Sequence, residues 1–193
     1  LMLTIYTFVF CVFFKARWDT GGESRFEFAL ILFAGLIVFN IFSECVNRAP
    51  SLIISNINYV KKVIFPLEIL PLVNMGAALF HGTVSLVVLI IFYVLVSSSL
   101  HWTVIFAPLT ILPLLLMTLG ISWFLASLGV FVRDVAQVIS MLTTVLMFTS
   151  PIFFPVSILP EKYRIFMYLN PLTFIIEQMR DVVLWGRLPS WSG

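Results

Sequence analysis

The sequence predicts an all-α fold, a polytopic bundle of transmembrane helices, and three observations predict it. Of its 193 residues, 61% are hydrophobic and only 10% are charged, with a mean hydropathy of +1.12. Soluble domains carry roughly 45–50% apolar and about 25% charged residues, so the excess here faces lipid and not only a private core. Apolar runs recur along the chain at lengths near the ~20 residues that a helix needs to cross a bilayer. Finally, Pro151, Pro155, Pro160 and Pro171 punctuate a stretch that is still hydrophobic, which no continuous helix can pass through. The expected architecture is one transmembrane domain over residues 1–193, with five spans and a re-entrant hairpin of short helices at 151–187.

Residues 1–14 are unbroken hydrophobe and end at Lys15-Ala16-Arg17-Trp18, a basic and aromatic interface anchor. Fourteen residues fall short of a full crossing, so this first span is expected to have lost its beginning. A polar loop with Gly21-Gly22 leads to a second span over 28–45, whose far end is crowded by Asn40, Ser43 and Glu44. The longest interruption, 46–67, carries Asn47-Arg48-Ala49-Pro50, Asn56, Asn58, Lys61-Lys62 and Phe65-Pro66, and reads as a loop with an amphipathic piece. The third span, 69–96, is longer than a straight crossing needs, and tilt or a bend near Pro71 absorbs the surplus. In the fourth, 104–132, Pro108 and Pro113 precede the small residues Gly120, Ser122, Ala126 and Gly129, which allow close helix approach. The polar turn Arg133-Asp134 introduces a fifth helix over 138–150. Between the later prolines two short helices fit, 161–169 and 172–184. In the second, Leu172, Ile175, Ile176, Met179 and Val183 share a face, with Glu177, Arg180 and Asp181 assigned to the opposite one.

Several classes of function are excluded. A net charge of +2 without a clustered basic face gives no footing for nucleic acid. Cys11 and Cys45 lie in apolar runs, share no metal-ligand spacing with histidine, and read as packing residues. No Gly-rich phosphate loop, His-Glu-x-x-His or Gly-x-Ser-x-Gly motif occurs, so neither ATP hydrolysis nor these hydrolytic chemistries belong to this chain. An intramembrane glycan or lipid enzyme would have to be built on Glu161, Glu177 and Asp181, which stand next to the neutralising Lys162, Arg164 and Arg180. Within the spans, Glu44 would cost about 2.5–3.5 kcal/mol at mid-membrane and has Arg48 as its natural partner four residues on. His81 reads as a hydrogen bonder between helices.

Lys and Arg counted by side give Arg48, Lys61, Lys62 and Arg133 against Lys15, Arg17, Arg25, Lys162, Arg164, Arg180 and Arg187. Taken alone, that count places the broken hairpin in the cytoplasm.

Tyr6-Thr7-Phe8-Val9-Phe10 before the Lys15-Arg17 anchor, the loop Asn58-Tyr59-Val60-Lys61-Lys62-Val63-Ile64-Phe65-Pro66-Leu67-Glu68, the turn Val130-Phe131-Val132-Arg133-Asp134, and Thr149-Ser150-Pro151-Ile152 with Tyr168-Leu169-Asn170-Pro171-Leu172-Thr173 together resemble the ABC-2 type permeases of bacterial polysaccharide export. The O-antigen exporters are the nearest match, with capsule and teichoic-acid permeases as relatives. That resemblance implies a sixth span and an amphipathic helix before the first, neither of which is visible here. It further implies a homodimer in the bacterial inner membrane on two copies of a separate ABC ATPase, which uses ATP and Mg, and a lipid-linked polysaccharide as cargo. A drug or lipid as cargo is the alternative. The loops with Lys61-Lys62 and Arg133-Asp134 become cytoplasmic and the hairpin periplasmic, against the charge count.

A sugar chain has apolar C–H faces as well as hydroxyls, so its conduit needs aromatic planes more than fixed charge. With 20 Phe, five Tyr and five Trp in the chain, the channel-lining candidates are Tyr6, Phe10, Phe13, Phe148, Phe153, Phe154, Tyr163 and Tyr168, which cluster towards the hairpin. Candidates for coupling to the ATPase are Lys61, Lys62, Phe65, Pro66 and Glu68 in the long loop and Arg133 and Asp134 in the turn. Membrane lipid is the other expected contact; no cofactor or metal is expected on this chain.

Overall fold

The computed structural model describes residues 25–56, 66–97, 101–154, 167 and 169–189, and within them every regular element is helical. The order is α1 (Arg25–Arg48), a 3-10 turn (Ala49–Ser51), the single turn α2 (Leu52–Ser55), α3 (Ile69–Ser97), a second 3-10 turn (Trp102–Phe106), α4 (Ala107–Phe131), α5 (Val135–Thr149) and α6 (Pro171–Val183). Three stretches, Phe28–Ser55, Ile69–Leu95 and Trp102–Phe131, are long and apolar enough to cross a membrane, and α5 is a shorter apolar helix. Only helices keep every backbone polar group satisfied within one segment in lipid, which is why these runs take that form. The span expected over 1–14 and the short helix over 161–169, Met167 and Leu169 apart, lie outside the described residues.

Helix α1 is the axis of the bundle and packs on α3, α4, α5 and α6. Its apolar window is 78% buried, against 22% for those of α3 and α4, so the outer two turn most of their hydrophobes outward. Val73, Phe80, Val87 and Leu95 on α3 and Leu112, Leu116, Phe124 and Phe131 on α4 are exposed, as lipid contact requires. Close approach is paid for in side-chain size: a Cβ on Gly82 of α3 would come within 2.6 Å of Ile41 on α1, and one on Gly129 of α4 would collide with the Pro50 carbonyl. The small-residue reading of the fourth span therefore holds at Gly129, whereas Gly120 has nothing near it.

Boundaries shift where local pairing outweighs polarity. The second span continues to Arg48 instead of stopping at 45, because Glu44 and Arg48 pair along the helix, 3.3 Å apart, and so extend it. The region after it begins as helical turns through Ser55 and not as open loop. The fourth span opens with the 3-10 turn at Trp102 and becomes α-helical at Ala107, where Pro108 lies in the first turn and costs no helical hydrogen bond. The fifth helix starts at Val135, directly after the Arg133-Asp134 turn.

Candidate functional site

The end of α5 and helix α6 are anchored to the bundle by side chains. At the end of α5 the Ser150 hydroxyl donates to the Leu146 carbonyl at 2.7 Å, and Asn170 Nδ2 donates to Ser150 Oγ at 2.9 Å. Asn170 Oδ1 in turn accepts from the Leu172 amide at 3.0 Å, while Pro171 fills the first helical position of α6. Asn caps the orphan amides and Pro has none to lose there, so the Asn170-Pro171 pair both starts α6 and ties it to α5. The other end of α6 is fastened too: Thr103 donates to the Val182 carbonyl at 2.6 Å and Tyr93 to that of Leu184 at 3.0 Å. Gly186 follows with φ +64°, packed so close to the His101 ring that a Cβ would not fit.

Arg180 is the centre of this assembly, and the amphipathic reading misplaced it. It is 1% exposed, not on a polar face with Glu177 and Asp181. Its Nε donates to Ile31 O of α1 at 3.1 Å, Nη1 to Pro151 O at 2.7 Å and Nη2 to Ile152 O at 2.9 Å. One planar fork thus satisfies backbone carbonyls at the proline break and joins three segments. Burial pulls its pKa down to about 9, opposed by the Glu177 carboxylate, and the group stays charged at neutral pH. Gly35 of α1 makes the room: a Cβ there would lie 2.9 Å from Arg180 Nη2 and 3.4 Å from Ile176. At about 100° per residue, Arg180 stands only about 40° from Ile176 and about 60° from Glu177, at the edge of the apolar face; that angle was the available signal. The five apolar residues of the face are all buried as expected. Burial raises the pKa of Glu177, with Arg180 opposing, and of Asp181, with Arg187 opposing at 3.7 Å.

A second polar centre lies between α1 and α3. His81 Nδ1 donates to both Glu44 carboxylate oxygens at 3.1 Å, and Arg48 Nη2 approaches Glu44 Oε1 at 3.3 Å. Asn74 Nδ2 donates to the Cys45 carbonyl at 3.3 Å, a further bond between the same helices. Glu44 is paired, as its cost in a span demands, and His81 is the interhelical bonder anticipated for it. Cys45 is a buried free thiol packed with Met75 and Ala78.

Of the aromatic candidates, Phe148 and Phe153 come together with ring centroids 5.9 Å apart. Phe148 is exposed, Phe153 is buried and Phe154 half-buried. Tyr6, Phe10, Phe13, Tyr163 and Tyr168 lie outside the described residues, as do Lys61, Lys62 and Phe65. Pro66 and Glu68 are exposed at the start of α3, where the Glu68 carbonyl accepts from Trp123 Nε1 at 3.0 Å. Arg133 and Asp134 are exposed in the tight turn from α4 to α5, closed by Val135 N donating to Val132 O at 3.4 Å. No group of three or more metal-ligating side chains occurs among the described residues.

Residues 1–184 match the ABC-2 type transporter family. Among curated proteins, the chain is 26% identical over 190 residues to an O-antigen export system permease protein, RfbA, of Klebsiella pneumoniae, a match covering 97% of this chain and 70% of that protein. A Myxococcus xanthus permease of the same name is 26% identical over 165 residues, covering 84% of this chain and 64% of the relative. The polysialic acid transport protein KpsM of Escherichia coli is 26% identical over 163 residues, 83% and 62% of the two chains. The first two relatives are named as export permeases and the third as a transport protein.

Proposed function

The chain belongs to the ABC-2 type transporter family, a multi-pass membrane permease family whose ATPase is a separate subunit, and on that premise we propose that it is the membrane subunit of an exporter of lipid-linked polysaccharide in the bacterial inner membrane. The observation that carries this reading is that O-antigen export permeases and a polysialic acid transport protein each align with more than four-fifths of the chain. Two copies form the conduit, and each sits on one copy of an ABC ATPase that supplies ATP, Mg and the driving force. The apolar outer faces of α3 and α4 contact lipid, while the fixed hairpin helix α6 stands at the periplasmic exit. Phe148, Phe153 and Phe154 contribute aromatic planes there, together with Tyr6, Phe10, Phe13, Tyr163 and Tyr168. The exposed Arg133-Asp134 turn and the loop carrying Lys61, Lys62, Phe65, Pro66 and Glu68 receive the force of the ATPase on the cytoplasmic side.

Deleting the gene in its host tests the cargo. Loss of surface polysaccharide with polymer retained inside the cell, restored by the wild-type chain, is the expected result; unchanged surface polysaccharide overturns the reading. The purified permease alone should turn over no ATP, and hydrolysis should appear when the ATPase subunit is added. Replacing Lys61 and Lys62 together with Glu should leave hydrolysis intact and reduce export about tenfold or more at matched membrane levels. Unchanged export would reduce these lysines to headgroup anchors.

A further inference from the structure

His81 lies 12 residues into the 29-residue helix α3, about 18 Å along it at 1.5 Å per residue, which is mid-span. Polar and ionisable side chains at that depth do not face lipid. Yet the side chain of His81 is 59% exposed, as is 58% of that of Arg48 in the last turn of α1. The exposure pattern of α1 shows where they open. From Phe28 onward its apolar residues are buried apart from the half-buried Phe33, while every other opening is polar: Asn40, Ser43, Glu44, Asn47 and Arg48. The outward residues of α4 and α5 are instead mostly Leu, Val, Met and Phe. The polar strip of α1 therefore faces water or a polar guest.

Beside it is a concave pocket of about 260 Å³ between α1 and α3, lined by the polar Asn40, Ser43, Glu44, His81 and Ser85 and by apolar side chains of both helices. A flat helix surface would not fill such a hollow, and the volume falls below the ~300 Å³ at which drug-sized sites begin. Its chemistry is mixed. The Ser43 and Ser85 hydroxyls donate to the Asn40 and His81 carbonyls at 3.3 and 2.9 Å, leaving their oxygen lone pairs as acceptors. Glu44 is held by His81 and Arg48 with lone pairs to spare, and the Asn40 amide offers donors. A phosphate would meet the Glu44 carboxylate, and an apolar molecule would leave these groups unsatisfied. Hydroxyls, which donate and accept at one atom, suit all of them. On the export reading above, we propose that this pocket is a subsite that holds one uncharged sugar residue of the polysaccharide during its passage.

The test is site-specific photo-crosslinking in the native host, with Ser85→p-benzoylphenylalanine, a lining position of the pocket, in the full-length permease and the cell's own glycan radiolabelled from [14C]glucose. A periodate-sensitive radioactive adduct on the permease is expected, with its yield reduced about tenfold by Glu44→Gln and about threefold by Asn40→Ala at matched membrane levels. Asn40 is exposed, so its replacement keeps the test open if Glu44→Gln disturbs insertion. Adducts with lipid or protein alone, in cells that still export the polymer, overturn the subsite and leave the export reading standing. If cells lacking the permease export the same polymer, the export reading fails and the subsite falls with it.

Discussion

Two arginines in this apolar bundle, Arg180 and Arg48, have opposite surroundings. Arg180 is buried at the hairpin end, with Nε and both terminal nitrogens on backbone carbonyls. Arg48 shares the single carboxylate of Glu44 with His81 and keeps most of its side chain open. A charge fixed by three backbone carbonyls is part of the scaffold, and moving it leaves those of Pro151 and Ile152 unsatisfied in a dry interior. A charge with spare capacity beside a hollow can accept a guest without dismantling anything. The bundle thus uses the same residue type to hold backbone carbonyls at one end and, in the last turn of α1, to support the Glu44 carboxylate beside the pocket.

The strongest way to break this comparison is Arg180→Met, which fills similar space but strands the carbonyls of Pro151 and Ile152 and removes the tie to Ile31 of α1. It should cost about 3–5 kcal/mol, seen as a large drop in the thermal unfolding midpoint of the detergent-solubilised permease and in its membrane level. Arg180→Lys sharpens the point, because an ammonium keeps the charge but not the fork; it should recover only part of the loss. Gly35→Val comes next. Its side chain would push on a guanidinium that three hydrogen bonds prevent from swinging away, at a cost of about 2 kcal/mol, and combined with Arg180→Met the two losses should be less than additive. Full additivity would separate Gly35 from the anchor. Asn170→Ala removes one cap and the link to Ser150, for about 1 kcal/mol, and should show as earlier proteolysis in the hairpin with α1 and α3 still protected.

Much of this was legible in the sequence. Apolar run lengths located α1, α3 and α4, and Pro151 and Pro171 marked the end of α5 and the start of α6, because both follow from what a backbone can do in lipid. The Glu44–Arg48 pair was legible from its i, i+4 spacing. Three contacts were not. The partners of Arg180 are carbonyls 28, 29 and 149 residues away, and backbone atoms carry no sequence signature. The Glu44–His81 pair spans 37 residues and depends on the fit of Gly82 against Ile41, where the glycine alone names no neighbour. Asn170-Pro171 stood out as a family-like motif, but its cap and its tie to Ser150 emerged only from the meeting of α5 and α6. Helix ends moved for a related reason: polar residues at 44–48 look like a terminus until they pair with one another.

The most direct test of the contrast is polysaccharide export per inserted permease molecule, measured side by side for Arg180→Met and Glu44→Gln. The account predicts that Arg180→Met loses membrane level and export in proportion, so that export per molecule changes little. Glu44→Gln should keep its membrane level and lose about tenfold in export per molecule. The reverse pattern, a fully inserted but inactive Arg180→Met beside a depleted Glu44→Gln with normal export per molecule, would contradict it.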